Sequence, residues 1–194
     1  GDGPCPWAGF EEKNTADLDN PRAHLVTRSP ARAERSRKGR LAATPLNEKR
    51  TGIVTGAVQH YATAMNAHAI DQGAWEAFRV VDATNEFIAS SEPWVLAKQD
   101  DPAPLDRVLW SAAEALRTAA VLLSPVMPSS SQEILQRLGS PVWRASELRA
   151  SEDLRVHPSG ERTVQRKDAL WPRLETPADE SVSISTKESR VTDE

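Results

Sequence analysis

The 194-residue sequence predicts an all-α protein, a bundle of four to five helices with short connections and a disordered C-terminal tail. Three observations carry that expectation. Apolar residues recur at helical spacing through most of the stretch from 44 to 138, and no strand-rich region appears before residue 150. The last 20 residues lack aromatics and are rich in Ser, Thr and acid, the composition of a chain that cannot bury a core. The expected organisation is one bundle over residues 1–175, with 19–43 as a broken or disordered stretch, and a tail over 176–194.

Residues 1–9 are Gly/Pro-rich (Gly1, Gly3, Pro4, Pro6) and read as a lead-in loop. From Trp7 to Leu18, Trp7, Phe10, Asn14 and Leu18 share one helical face. Pro21 and Pro30 then interrupt, and each would cost about 3 kcal/mol inside a helix. A second helix is expected from Thr44, with Pro45 at its first position, to His68, placing Ile53, Ala57, Tyr61 and Ala64 inward. A third, Asp71 to Ser91, turns Ala74, Phe78, Val81 and Ile88 inward. It stops at Glu92-Pro93-Trp94, because proline disfavours helix in the residue before it. The fourth, Pro102 to Ser124, has the most regular stripe in the chain: Leu105, Leu109, Ala112, Leu116, Ala119 and Leu123. Pro125 and Pro128 end it. Ser129 to Ser131 can cap a short fifth helix, Gln132 to Leu138, closed by Gly139. Residues 151–174 are mixed, with a turn at Pro158-Ser159-Gly160.

Composition narrows the function. An apolar content of 39% supports a core, but not one spread over the whole length. The net charge of -4 argues against a protein that coats nucleic acid generically. That charge is unevenly spread. Residues 22–50 hold nine Lys and Arg against Glu34 and Glu48, a net +7, so the remainder stands near -11. Such asymmetry points to an anionic partner, unless the segment is simply a solvated arginine-rich loop. Cys5 is the single cysteine, so no internal disulfide or Cys/His zinc cluster forms, which fits a reducing cytoplasm. No basic-then-apolar signal opens the chain. The apolar stretch Val108 to Val126 carries Glu114 and Arg117, which favours a core helix over a membrane span. His24, His60, His68 and His157 are scattered. His60 and His68 could share a helix face, but without a third metal ligand. There is no Gly-rich phosphate loop and no catalytic constellation.

Residues 84–98, Thr-Asn-Glu-Phe-Ile-Ala-Ser-Ser-Glu-Pro-Trp-Val-Leu-Ala-Lys, carry the strongest signal. They describe a helix ended by a proline that presents an indole at a kink. Trp94 can bury into a bundle there, or offer a flat face to an unpaired base, where stacking is worth about 1–3 kcal/mol.

This segment resembles the stretch of methionyl-tRNA synthetases that reads roughly Ala-Asn-x-Tyr-Ile-x-x-x-x-Pro-Trp-x-Leu-Ala-Lys. Leu105-Asp-Arg-Val-Leu-Trp through Ala120-Val-Leu-Leu-Ser-Pro-Val-Met-Pro resembles the family's next helix, and Gln132-Glu-Ile-Leu-Gln-Arg-Leu-Gly139 continues it. Leu170-Trp-Pro-Arg-Leu-Glu175 is similar to the Leu-Phe-Pro-Arg-Ile-Glu that closes the unit. Upstream, Trp7-Ala-Gly-Phe-Glu-Glu through Ala16-Asp-Leu18 looks like the first helix after the family's catalytic domain. Asn20, Leu25 and Arg28 keep the register, while His24 replaces an asparagine and Pro21 and Ala23 replace an Asp and a Gly.

The resemblance implies an anticodon-binding helical domain whose partner is tRNA-Met. Trp94 would stack on the first anticodon base, with Pro93 fixing its presentation. Arg28 would donate hydrogen bonds to bases, and His24 would stand in for the lost asparagine. The basic run including Arg32, Arg35 and Lys38 would meet the phosphate backbone. The family's His-Ile-Gly-His and Lys-Met-Ser-Lys-Ser motifs are absent from these residues, as is its zinc-bearing insertion. The expectation is therefore an inactive chain without cofactors of its own, since ATP and methionine would bind a catalytic domain on a separate or missing segment. The rival expectation is a non-catalytic helical scaffold that no longer binds RNA and uses the leucine stripe and the basic segment for protein contacts. A helix over 19–32 that presents Arg28 beside Trp94 would separate the two.

Overall fold

A computed structural model describes residues 39–46, 48–141, 144–147, 149–155 and 161–165. The expected helix from Trp7 to Leu18, the stretch from 19 to 38 and the tail over 176–194 lie outside these residues. Within them the chain is helical: α1 (Glu48–Asn66), α2 (Ile70–Ser91), α3 (Pro93–Leu96), α4 (Ala103–Leu123), α5 (Pro128–Arg137) and a single turn, α6 (Ala150–Asp153). Two short strands, β1 (Arg40–Ala42) and β2 (Glu161–Thr163), pair antiparallel, with Leu41 opposite Arg162.

Helix α4 is the axis of the bundle. It packs against α2, α5, α1 and α3, and the strand pair and α6 close over it. Every residue from Val108 to Leu123 is buried, so the expected stripe is only one side of a helix covered all round. Alanines at 112, 113, 115, 119 and 120 keep its surface low enough for neighbours to approach. Trp110, next to rather than on the stripe, is 0% exposed.

Helices α1 and α2 turn the expected sides inward, with the most buried positions rotated slightly from those expected. On α1, Arg50, Val54, Ala57 and Ala64 are buried, and Ile53 and Tyr61 are half-buried. On α2 the buried set is Gly73, Ala77, Val80, Val81 and Thr84, with Ala74, Phe78 and Ile88 at its margin. The reason is steric. The small residues face the neighbouring helices, while Phe78 packs along the seam against Ala77, Leu122 and Leu123. At Gly73 a Cβ would lie 2.9 Å from Met65 Sδ, so the α1–α2 hairpin closes tightly at its tip.

The strand pair was not expected. It delays α1, which begins at Glu48 instead of Thr44, because residues 43–46 must first lead the chain out of the ladder. β2 also runs against the end of α5. Gly139 adopts φ +63, and a Cβ there would sit 2.4 Å from Thr163 O, so glycine is required both for the helix stop and for the passing strand. Gln165 N donates to Arg137 O at 2.8 Å. α5 itself starts earlier than expected, at Pro128, since a proline at the first helical position loses no hydrogen bond. Ser131 is a buried helical residue and not a cap.

The core holds charge. Glu114 and Arg117 are each 1% exposed, with Arg117 Nε 3.3 Å from Glu114 Oε1. Arg162 of β2 brings a second guanidinium to the same carboxylate oxygen and lies over the Trp110 ring at 4.9 Å. Burial lowers the pKa of Arg162; Glu114 opposes that shift and Arg117 adds to it. Arg117 further donates to the backbone carbonyls of Asp153 and of Arg155, the latter at 2.6 Å. The network ties α4 to Asp153, Arg155 and Arg162.

A sharp corner joins α2 to α3. Glu92 takes the left-handed conformation, φ 43 and ψ 56, and Pro93 opens a one-turn helix directly after it. The Glu92 carbonyl accepts from Val95 N at 2.8 Å, and Pro93 O accepts from Ala97 N at 2.9 Å. Proline disfavours the right-handed helical conformation at Glu92 on steric grounds, and one left-handed residue redirects the chain without an intervening loop.

Two outcomes follow from this packing. Glu114→Ala should destabilise the fold by about 3–5 kcal/mol, because it leaves two guanidiniums buried without their counter-charge; an unchanged urea midpoint would contradict the network. A left-handed non-glycine residue costs about 1–2 kcal/mol, so Glu92→Gly should raise the melting temperature or leave it unchanged, whereas Glu92→Val should lower it. A clear loss of stability in Glu92→Gly would show that the conformation at this corner is not strained.

Candidate nucleic-acid interface

The corner decides what Trp94 does. Pro93 is buried, and Leu96, one turn on, packs against the main core. These two side chains, spaced i and i+3, pin one side of α3 to the bundle. The residues between them are left outside: Trp94 is 45% exposed and Val95 43%. Ala97 and Lys98 beyond them are exposed as well. Tryptophan is on average highly buried, so a half-exposed indole on a pinned turn is informative. Of the two options open in the sequence, burial in the bundle does not occur.

The support beneath this corner comes from the basic segment, in a way its charge count does not reveal. Arg50 is 8% exposed. Its Nη1 donates to Ala83 O at 2.5 Å, and its guanidinium lies 4.8 Å from the Phe87 ring centroid. Burial lowers the Arg50 pKa, and Glu86 opposes the shift. Arg50 therefore clamps the start of α1 to the last third of α2, seven residues before Trp94. It is a structural cation and not a surface one. Arg40 forms an exposed ion pair with Glu161 at 3.7 Å, a contact that contributes little.

Lys49, the neighbour of Arg50, faces elsewhere. With Pro45, Leu46, Glu48 and Arg107 it lines an open pocket of about 490 Å³ between the start of α1 and the second turn of α4. Arg107 had no place in the sequence reading, because only the packing of α4 against α1 brings it beside the basic segment.

Of the residues expected at the site, Trp94 and Pro93 occupy one turn. Arg28, His24, Arg32, Arg35 and Lys38, and the helix expected over 19–32, lie outside the described residues. His60 Nδ1 lies 3.7 Å from Glu76, and among the described residues no three His, Cys, Asp or Glu side chains are grouped to hold a metal. No described helix is long and apolar enough to cross a membrane.

An exposed aromatic on a turn pinned by its neighbours is an arrangement suited to stacking on an unpaired base. The comparisons with known proteins agree in kind. Residues 41–182 match the family described as the anticodon binding domain of methionyl tRNA ligase. The methionine–tRNA ligase of Streptomyces coelicolor is 34% identical over 186 residues, covering 90% of this chain and 34% of that protein. Its counterpart in Bacillus subtilis is 30% identical over 183 residues, covering 90% of this chain and 27% of that protein. The free-state methionyl-tRNA synthetase of Mycobacterium tuberculosis shares the fold, with a TM-score of 0.70 over 88% of this chain and 35% of that one, at 21% identity. The chain thus spans about a third of the length of the relatives it matches. On the match over residues 41–182, the chain belongs to the family of methionyl-tRNA ligase anticodon-binding domains.

Proposed function

We propose that this chain reads the anticodon loop of tRNA-Met for a methionyl-tRNA ligase, with the Trp94 indole stacked on an unpaired base. The observation that carries the reading is the exposure of Trp94 on a turn whose other side is fixed by Pro93 and Leu96. An indole held this way loses little freedom on stacking, so more of the contact energy appears as affinity. Reading an unpaired loop by stacking and base edges is the usual route to sequence recognition in RNA. Arg28 and His24 would add hydrogen bonds to base edges, and Arg32, Arg35 and Lys38 would meet phosphates.

On this reading the joining of methionine to tRNA belongs to a catalytic domain that holds ATP and methionine, and the work is done in the cytoplasm. The 194 residues contain neither a His-Ile-Gly-His nor a Lys-Met-Ser-Lys-Ser motif. The purified chain should accordingly show no methionine-dependent pyrophosphate exchange, and measurable exchange would refute that division of labour.

Two tryptophans give the sharper test. Trp94→Ala should keep its melting temperature and bind an RNA hairpin bearing the methionine anticodon about 5- to 150-fold more weakly, the equivalent of one lost stack. Trp110→Ala removes a fully buried side chain and should cost about 3–5 kcal/mol of stability, with hairpin affinity retained wherever the protein is folded. Melting curves and hairpin titrations on both variants decide the matter. If Trp94→Ala melts far below the parent and still binds, Trp94 is a packing residue and the scaffold reading takes its place.

A further inference from the structure

The pocket between α1 and α4 lies at the same end of the bundle as Trp94. Three contacts place it there. Arg50 fastens the first turn of α1 against Ala83 and Phe87 of α2. From Phe87, α2 runs on to Ser91, an advance of about 6 Å at helical rise, and the corner at Glu92 leads directly to Trp94. α3 packs on α4, and α4 begins seven residues after Leu96, so Arg107 stands on its second turn beside this corner. Lys49 and Arg107 thus come from different helices to one concavity, floored by Pro45 and Leu46. Glu48 shares the lining, which leaves a net charge of +1 among the three. The N-terminal end of α1 adds positive potential to this side.

We infer that this pocket holds a backbone phosphate of the same RNA strand whose base stacks on Trp94, clamped between Lys49 and Arg107. The inference rests on the anticodon reading and adds to it a second point of contact, one that fixes the strand's path without reading sequence. A stacked base alone leaves the strand free to swing about the indole normal. A phosphate held on the neighbouring helices removes that freedom. Glu48 limits the strength of the clamp, since its carboxylate shares the pocket with the incoming anion.

The test is a salt titration of hairpin binding by the full chain. Each phosphate neutralised on a single strand contributes about 0.7 to the slope of log K against log salt. Lys49→Ala with Arg107→Ala should weaken binding about 10-fold at low salt and make the slope shallower by about 0.7 to 1. Trp94→Ala should weaken binding with the slope unchanged. Glu48→Gln should tighten binding about 2- to 5-fold, the range of an exposed charge interaction, and unfolding cannot mimic a gain. Arg79→Ala is the control. Arg79 is half-exposed, pairs with Glu76 at 2.8 Å, and lies about 12 Å along α2 from Phe87; its loss should leave the slope alone. If the parent binds and Trp94→Ala weakens it, but the double variant keeps its slope or Glu48→Gln fails to tighten, the pocket is not a phosphate site and the stacking reading stands. A slope lowered equally by Arg79→Ala would reduce the effect to general charge and also overturn the clamp. If the parent does not bind the hairpin at all, both readings fall together.

Discussion

Glu114 sits at the centre of the central helix, and a carboxylate there cannot stay charged alone. Its desolvation costs several kcal/mol before any partner is counted. Arg117, one turn on, supplies one counter-charge, but it is itself 1% exposed and brings its own donors to be satisfied. The chain after residue 149 resolves both problems. The Asp153 and Arg155 carbonyls accept from Arg117, and Arg162 completes the charge pairing while covering Trp110. Replacing such a network by apolar residues is often neutral for stability. What the charges do here is fix position: Arg117 and Glu114 hold Asp153, Arg155 and Arg162 against α4.

A short series of contacts leads from this network to the end of the bundle that carries Trp94. With Arg162 held, β2 lies where it can pair with β1, and Leu41 opposite Arg162 is buried at 3% exposure. The strand pair sets where the chain leaves for α1. The start of α1 places Arg50 against Ala83 and Phe87, and that clamp holds the end of α2 from which Glu92, Pro93 and Trp94 project. The surface indole is therefore indirectly positioned by a carboxylate in the middle of the core.

The helices were legible in the sequence because their signals are local. The stripe on α4, Pro93 after α2 and Gly139 after α5 each state their purpose within a few residues. The strand pair was not, because three residues carry no readable alternation and its partners are 121 positions apart, Leu41 opposite Arg162. The facing of α1 and α2 was legible only approximately, because periodicity finds apolar residues, whereas close helix packing selects small ones, such as Gly73 and Ala77. Charge was the least legible. Lys49 and Arg50 are adjacent and identical in a tally, yet about 100° of helical rotation separates a pocket cation from a buried clamp. Arg107 belongs to the same surface but sits in a different helix, so no count over a contiguous segment could include it. The two tryptophans show the same limit. Trp110 is buried because α4 is enclosed on every side, and Trp94 is exposed because its neighbours Pro93 and Leu96 take the inward positions.

The strained corner and the exposed indole belong together. A flexible loop could present a tryptophan at no backbone cost, but it would have to be ordered when a base arrives, at about 1–2 kcal/mol for each residue fixed. That would consume most of a stacking contact worth about 1–3 kcal/mol. The left-handed Glu92 costs a comparable amount once, during folding, where the stability of the whole bundle offsets it. On the stacking reading the turn would meet a base already ordered, with Pro93 and Leu96 packed inward. On the stacking reading, a single weak contact of this kind is useful for recognition only if it is presented without such loss, and a proline directly after a left-handed residue meets that condition where a loop would not.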